Sequence, residues 1–485
     1  MISHPRRWLI LLVIVGADAM DMLDGTVVNV AAPTIHESLR TSATGLQWIV
    51  AGYSMALAVG LLVGARLGDV YGRRALFLIG LAGFTVASTI CGLAATTTVL
   101  IAARVGQGFA GALMLPQGFP LLREVFSEKE MPRVFGIYAP VMGGAMMLGP
   151  ILGGGLISLH LLREPWRPVF LVNVPVGLAA GLAAIVLLPR SSVRHARRLD
   201  LRGAGIAAVA VFALVYPLME GRELGWPAWT FVSISASMAL LVVLGLHLLR
   251  ERRSGRDPLV EPGIFARAGY SPGALVVMLY FGGMSGAMLA GTLFLQLGER
   301  FSAVHAGLTV APLAIGAAIT APLAGKLMSR LPGRTLIQVG CAVSFVGYAL
   351  LAMILGSASH VSSWGMLAPL LLVGFGLGIF VVPGFDTILG NVTAAEVGSA
   401  SGVLNALQQL AGAIGVAVLG TIFFFAVQRH GFEAGFHDTI WWTAVGLLAA
   451  LALSPLLPGR AQAETSAGAA AGAAKPADAS TAPSP

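Results

Sequence analysis

The chain has 485 residues, of which 56% are hydrophobic and only 11% charged, and its mean hydropathy is +0.84. Soluble domains carry about 25% charged residues, so a compact water-soluble fold is excluded and lipid must solvate much of the surface. The net charge of +8 would suggest nucleic acid in a soluble protein, but here the basic residues sit in short segments between apolar runs and read as a topology signal. Cys91 and Cys341 each lie inside an apolar run. Two isolated cysteines make neither a disulfide framework nor a metal cluster, so they read as small packing residues.

A helical span needs roughly 20 apolar residues. In chain order the sequence predicts fourteen, over about 8–34, 46–65, 75–95, 98–120, 134–158, 169–188, 203–219, 230–249, 273–297, 305–328, 335–355, 366–391, 400–427 and 440–457. Ahead of the first stand Arg6 and Arg7, and Ala17-Asp18-Ala19 resembles a signal-peptide cleavage site. The apolar run continues to Pro33, which predicts a retained anchor. With the N-terminus in the cytoplasm and alternating spans, cytoplasmic segments hold 23 of the 30 Lys and Arg and outer loops hold 6, while Arg104 alone lies within a span. This bias supports the count and places both termini inside. The tail from Gly459 is Ala/Gly/Pro/Ser-rich and reads as a disordered cytoplasmic extension.

A weak repeat divides the chain. Ala65-Arg66-Leu67 with Gly72-Arg73 between spans 2 and 3 is echoed by Gly325-Lys326-Leu327 with Gly333-Arg334 between spans 10 and 11. Gly136 and Gly149 have the separation of Gly402 and Gly415. The expected organisation is a six-helix half over 1–190, two inserted helices with basic linkers over 191–270, a second six-helix half over 271–458, and the tail 459–485. Paired halves around a central site are the usual transporter architecture.

Span 1 carries Asp18, Asp21, Asp24, Thr26 and Asn29. At helical spacing the three aspartates and Asn29 fall within an arc of about 140°. Facing lipid, three central aspartates would cost roughly 8–10 kcal/mol on insertion scales, so they must face a wet cavity, be protonated or be paired; a helix end near water suits Asp18 better than Asp24. Arg104 in span 4 lies within ~5 Å of Asp24 in depth by helical rise, so the two can pair, either as a static structural pair or as a proton-handling one. Burial and a neighbouring cation act oppositely on a carboxyl's proton affinity, and a site balanced between them can take up and release a proton. Asp386 in span 12 and Asn405, Gln408 and Gln409 in span 13 are further polar residues inside spans. Asp386 reads equally as an interfacial residue and as a cavity residue.

These residues also fall in motifs. Leu23-Asp24-Gly25-Thr26-Val27-Val28-Asn29-Val30-Ala31-Ala32-Pro33 resembles the span 1 motif of the fourteen-span drug:proton antiporters of the major facilitator superfamily. Ala65-Arg66-Leu67-Gly68-Asp69-Val70-Tyr71-Gly72-Arg73-Arg74 is similar to the superfamily's cytoplasmic loop motif, with Ala65 in place of a Gly and Val70 in place of a basic residue. Arg104-Val105-Gly106-Gln107-Gly108 resembles the span 4 motif. Gly136, then Gly149-Pro150-Ile151-Leu152-Gly153-Gly154, resembles the span 5 antiporter motif, and Trp166-Arg167 with Phe170-Leu171-Val172-Asn173-Val174-Pro175 continues the likeness. The resemblance covers roughly residues 8–430. It implies an all-α major-facilitator fold with fourteen transmembrane helices, and proton coupling through Asp24, Asp21, Arg104 and Asp18. It also implies a conformational loop built on Asp69, Gly72, Arg73 and Arg74 and a bend at Gly149, Pro150, Gly153 and Gly154, while polarity inside the spans makes Asn29, Thr26, Gln107, Asp386, Asn405 and Gln408 candidates for a cavity.

Other chemistry is poorly supported. Gly325-Lys326 lacks the surroundings of a P-loop, Gly374, Gly376 and Gly378 sit in an apolar run, and His36-Glu37 lacks a second histidine four residues on. No nucleophile with a base is found, so no enzyme is expected and no cofactor beyond a proton gradient. The expected function is proton-coupled export of hydrophobic or amphipathic compounds across a bacterial inner membrane. Met20, Met22, Met55, Met142, Met146, Met147, Met284 and Met288 are candidates for an adaptable wall. A dedicated exporter of one metabolite or antibiotic is the alternative, and a membrane sensor or scaffold a remote one. A periplasmic adaptor and outer-membrane channel are conceivable partners; nucleic acid is not.

Overall fold

The structure, a computed structural model, describes residues 6–127, 130–189, 200–256, 258–328, 330–357, 362–390, 392 and 396–458. The expected tail and most of the basic linker after residue 190 lie outside them. The described residues form sixteen α-helices. The first eight are α1 (Arg7–Leu39), α2 (Ala43–Tyr71), α3 (Arg73–Leu93), α4 (Thr97–Met114), α5 (Gly118–Val125), α6 (Met131–Ser158), α7 (Arg167–Leu171) and α8 (Asn173–Leu187). The others are α9 (Leu201–Glu220), α10 (Ala228–Arg253), α11 (Tyr270–Leu293), α12 (Ala303–Leu327), α13 (Gly333–Ser357), α14 (Ser363–Leu389), α15 (Val397–His430) and α16 (Phe432–Leu453).

Twelve helical segments are long and apolar enough to cross a membrane, against the fourteen expected. The difference lies in α1 and α6. The three aspartates of α1 interrupt its apolar stretch, and in α6 only Leu148–Ser158 counts as apolar among the described residues. The protein is an all-helical, multi-pass membrane protein.

Two groups of helices pack internally. In the first, α1 lies against α6 and α8, α2 against α4, and α3 against α4 and α8; in the second, α11 lies against α15 and α16, and α14 against α12 and α13. The groups meet along two seams, α2 on α15 and α6 on α12. The second seam is a backbone contact. A Cβ on Gly154 would stand 2.6 Å from the Ala303 carbonyl oxygen, and one on Gly307 would stand 2.5 Å from that of Pro150. Only glycine permits that approach. Gln47 donates to the carbonyls of Val416 (3.0 Å) and Ala417 (3.3 Å) across the first seam, and Gln296 donates to Val30 O at 2.9 Å. All of these contacts lie toward the end of the bundle where α1 turns into α2.

Helices α9 and α10 pair with each other, and α9 rests on α2 and α15. Asp200 fixes this pair. Its carboxylate accepts from Gly203 N–H at 2.8 Å as the cap of α9, from Leu259 N–H at 3.1 Å, and lies 2.9 Å from His247 Nε2. Burial pushes its carboxyl up, but the bonds from Gly203, His247 and Leu259 outweigh it and hold the group below its ordinary value. A carboxylate so lowered stabilises the fold above its ordinary range and ceases to do so as pH falls through its lowered value. Asp200→Ala should therefore lower the thermal unfolding midpoint in detergent at neutral pH, by a capping loss of about 1 kcal/mol. The gap from wild type should close at strongly acidic pH; an equal deficit at both would refute the assignment.

Candidate proton-handling site

Between α1, α3, α4 and α8 the structure brings together the two charges that the sequence singles out. Asp24 is 2% exposed and Arg104 1% exposed. Arg104 Nη1 donates to Asp24 Oδ2 in a short ion pair. The other carboxylate oxygen accepts from Gln107 Nε2 at 3.0 Å and from Asn173 Nδ2 at 2.8 Å. Both amides also donate to Ser88 Oγ, at 3.3 and 3.0 Å. The guanidinium donates from Nε to the Ile49 carbonyl at 3.1 Å and from Nη1 to Gln107 Oε1 at 2.8 Å. Its carbon sits 4.2 Å from the centre of the Tyr53 ring. Each feature answers a physical need: two ions removed from water lose several kcal/mol of solvation each, which close pairing and added hydrogen bonds must offset.

Tyr53 extends the network, because its hydroxyl donates to Asp21 in a short bond. Asp18 is separate. It accepts from the Tyr138 hydroxyl of α6 at 2.9 Å, and its Oδ1 is buried with no hydrogen-bond partner among the described residues. The three aspartates of α1 therefore hold three different partners.

The other expected residues divide. Asn29 donates to Gly25 O at 3.2 Å and Thr26 to Leu23 O at 3.0 Å, both within α1. Gly149 has no room for a side chain, since a Cβ would stand 1.9 Å from Thr26 Oγ1, and Gly153 abuts Val27. Together with Gly154 and Pro150 they let α6 touch α1 on one side and α12 on the other. Gly136, by contrast, has open space around it. In the loop motif, Gly72 has φ 93, which only glycine adopts without strain. Arg73 lies 3.7 Å from Glu124, and Arg74 donates to Ile185 O at 2.6 Å. The side chain of Asp69 lies outside the described residues. Asp386 and Asn405 are exposed and Gln408 is half-buried; none of them joins the network around Asp24. Of the methionine wall, Met20 and Met55 are core residues, Met22 is exposed, and Met284 and Met288 line a cavity.

Sequence reasoning missed Tyr53, Ser88, Tyr138 and Gln117 and used Asn173 only as part of a motif. Gln117 ties the end of α4 to α2 by donating to Gly64 O at 2.8 Å. Asn173, an asparagine near the start of span 6, was the strongest of the overlooked signals.

The Major Facilitator Superfamily signature matches residues 14–416. The chain belongs to this superfamily. Its relatives carry transporter, resistance and export names. The probable actinorhodin transporter of Streptomyces coelicolor is 42% identical over 422 residues, covering 87% of this chain and 73% of the relative. The puromycin resistance protein of Streptomyces alboniger is 37% identical over 86% of this chain and 82% of its own length. The multidrug resistance protein Stp of Mycobacterium tuberculosis is 34% identical over 83% and 73%. Among solved structures, a D-xylose-proton symporter aligns over 94% of this chain and 98% of its own with TM-score 0.66 at 15% identity, a likeness of fold.

The ion pair makes a stability prediction. Asp24→Ala leaves a guanidinium buried without its counterion and should cost about 3–5 kcal/mol. Asp24→Ala combined with Arg104→Met should regain most of that loss in thermal unfolding of the detergent-solubilised protein. A double variant no more stable than Asp24→Ala alone would show that the two charges are not coupled.

Proposed function

We propose that the chain exports hydrophobic or amphipathic compounds across the cytoplasmic membrane in exchange for protons, by alternating access. The single observation that carries this reading is the buried Asp24–Arg104 pair within the fold of a transporter superfamily. Asp24 Oδ2 is the atom that would take the proton. Neutralising it breaks the charge-assisted bond to Arg104, while Ile49 O, Gln107 Oε1 and the Tyr53 ring still hold the guanidinium. The energy source is the proton gradient, with no cofactor needed.

On this reading the chain has fourteen spans, with two six-helix halves and α9–α10 inserted between them. Helices α1 and α6, of 33 and 28 residues, would rise about 50 and 42 Å, more than the ~30 Å hydrocarbon core. The basic bias puts both termini in the cytoplasm. The contacts of Gln47, Gln296, Gly154 and Gly307 then close the outer end, so the conformation faces inward. Pro150 and the glycines of α6 form the seam that must part for the carrier to turn outward. A periplasmic adaptor or an outer-membrane channel would be an added partner.

A dedicated exporter is the second reading, favoured by relatives named for single antibiotics, as in the tetracenomycin C resistance and export protein of Streptomyces glaucescens. A panel of unrelated dyes and antibiotics separates the two, since a dedicated carrier moves one chemical type.

In inverted vesicles, an acid interior should drive dye loading by wild type. Asp24→Asn, which keeps the side chain's shape, should reduce it at least tenfold with the protein still folded. Full transport by this variant, or loading that outlasts collapse of the gradient, overturns proton coupling.

A further inference from the structure

The two halves can be aligned on their turns. Arg40 and Arg300 both adopt left-handed backbone, with φ 48 and 57. Each is followed two residues later by a serine that caps the next helix: Ser42 accepts from Gly45 N–H at 3.0 Å, and Ser302 from His305 N–H at 3.2 Å. Likewise Thr96 caps α4 and Ser362 caps α14, accepting from Val99 N–H (3.3 Å) and Gly365 N–H (3.1 Å). Counted from these landmarks, Asp24 corresponds to Met284, Tyr53 to Leu313 and Arg104 to Leu370.

Those three counterparts line one cavity of about 40 Å³. It lies among α11, α12, α13, α14 and α16, with Met288, Met366 and Phe436 also in its wall. Where one half builds a carboxylate–guanidinium network, the other leaves an apolar hole. An empty cavity forfeits packing at roughly 24 cal/mol per Å³, a loss that a second six-helix core has no structural reason to keep. Its walls are unusually adjustable, because methionine's three rotatable bonds let the space widen around a guest. Its partly exposed residues, Met284, Met288 and Val310, lie on α11 and α12, the helices that meet α1 and α6 of the other half.

We propose that this cavity receives an apolar ring of the transported compound, so that one half of the repeat holds the proton and the other holds the cargo. The proposal rests on the exporter reading.

Tetraphenylphosphonium is the probe, with ringless tetraethylammonium as control. In a Met288→Cys variant, where native Cys91 and Cys341 are fully buried, alkylation by N-ethylmaleimide should slow at least fivefold with tetraphenylphosphonium and not with tetraethylammonium. Met284→Trp, which fills the cavity, should raise the KM for gradient-driven tetraphenylphosphonium uptake at least tenfold. If Met284→Trp fails to fold, the protection result decides alone. Wild-type uptake with no protection at Met288→Cys overturns the cavity and leaves the exporter standing. Protection without gradient-driven uptake keeps the cavity as a ring-binding site and overturns broad-specificity export. Neither protection nor uptake overturns the cavity and broad-specificity export together.

Discussion

The structure depends on one costly arrangement, a guanidinium and a carboxylate buried together inside a membrane bundle. Neither ion tolerates lipid, so each must be enclosed by protein that supplies the hydrogen bonds water would have made. That requirement explains why four helices converge on Asp24. Helix α4 supplies Arg104 and Gln107, α8 supplies Asn173, α3 supplies Ser88, and α2 supplies Ile49 O and the Tyr53 ring. If Asp24 takes a proton, as proposed, the change alters what holds these helices together.

The seam between α6 and α12 meets the opposite requirement. It must seal one end of the bundle yet be able to part. At Gly154 and Gly307 the two helices meet backbone on backbone. Such a contact depends on shape alone, and little but dispersion is lost when it opens. The same helix touches Asp24's own helix through Gly149 and Gly153, which reach Thr26 and Val27. Helix α6 therefore touches both the helix that carries Asp24 and the α12 seam.

Charge was the legible part of the sequence. Asp24 and Arg104 stood out because a charge in a span demands an explanation, and helical rise placed them at one depth. Tyr53, Ser88 and Tyr138 were not legible. Hydroxyls cost little inside a helix, since Ser and Thr can bond the preceding turn, and nothing in their spacing marks a partner on another helix. Asp386 and Asn405 are the converse case. A polar residue in a long span is explained as well by an exposed surface as by a cavity, and both are exposed. Gly136 likewise matches a motif without a close neighbour to justify it. The helix count differed for a related reason. The feature that singles α1 out in the sequence, three aspartates in one helix, is what removes it from a tally of apolar segments.

The repeat was legible only as an echo of loop motifs, and its physical content appears in three dimensions. Two six-helix units built alike would be expected to fill their centres alike. Instead the position of Asp24, Tyr53 and Arg104 is taken by Met284, Leu313 and Leu370. The polar centre is densely bonded, because the guanidinium donates to Asp24, Gln107 and the Ile49 carbonyl. The apolar centre has no such fixed partners, and its methionines can repack. A carrier needs both properties, one place where a proton has a defined address and one where ligands of varied outline can be accommodated. On the proposed division between the halves, a hydrophobic guest would not have to share a pocket with a buried ion pair, whose desolvated charges would otherwise be opened to water with every cycle of loading.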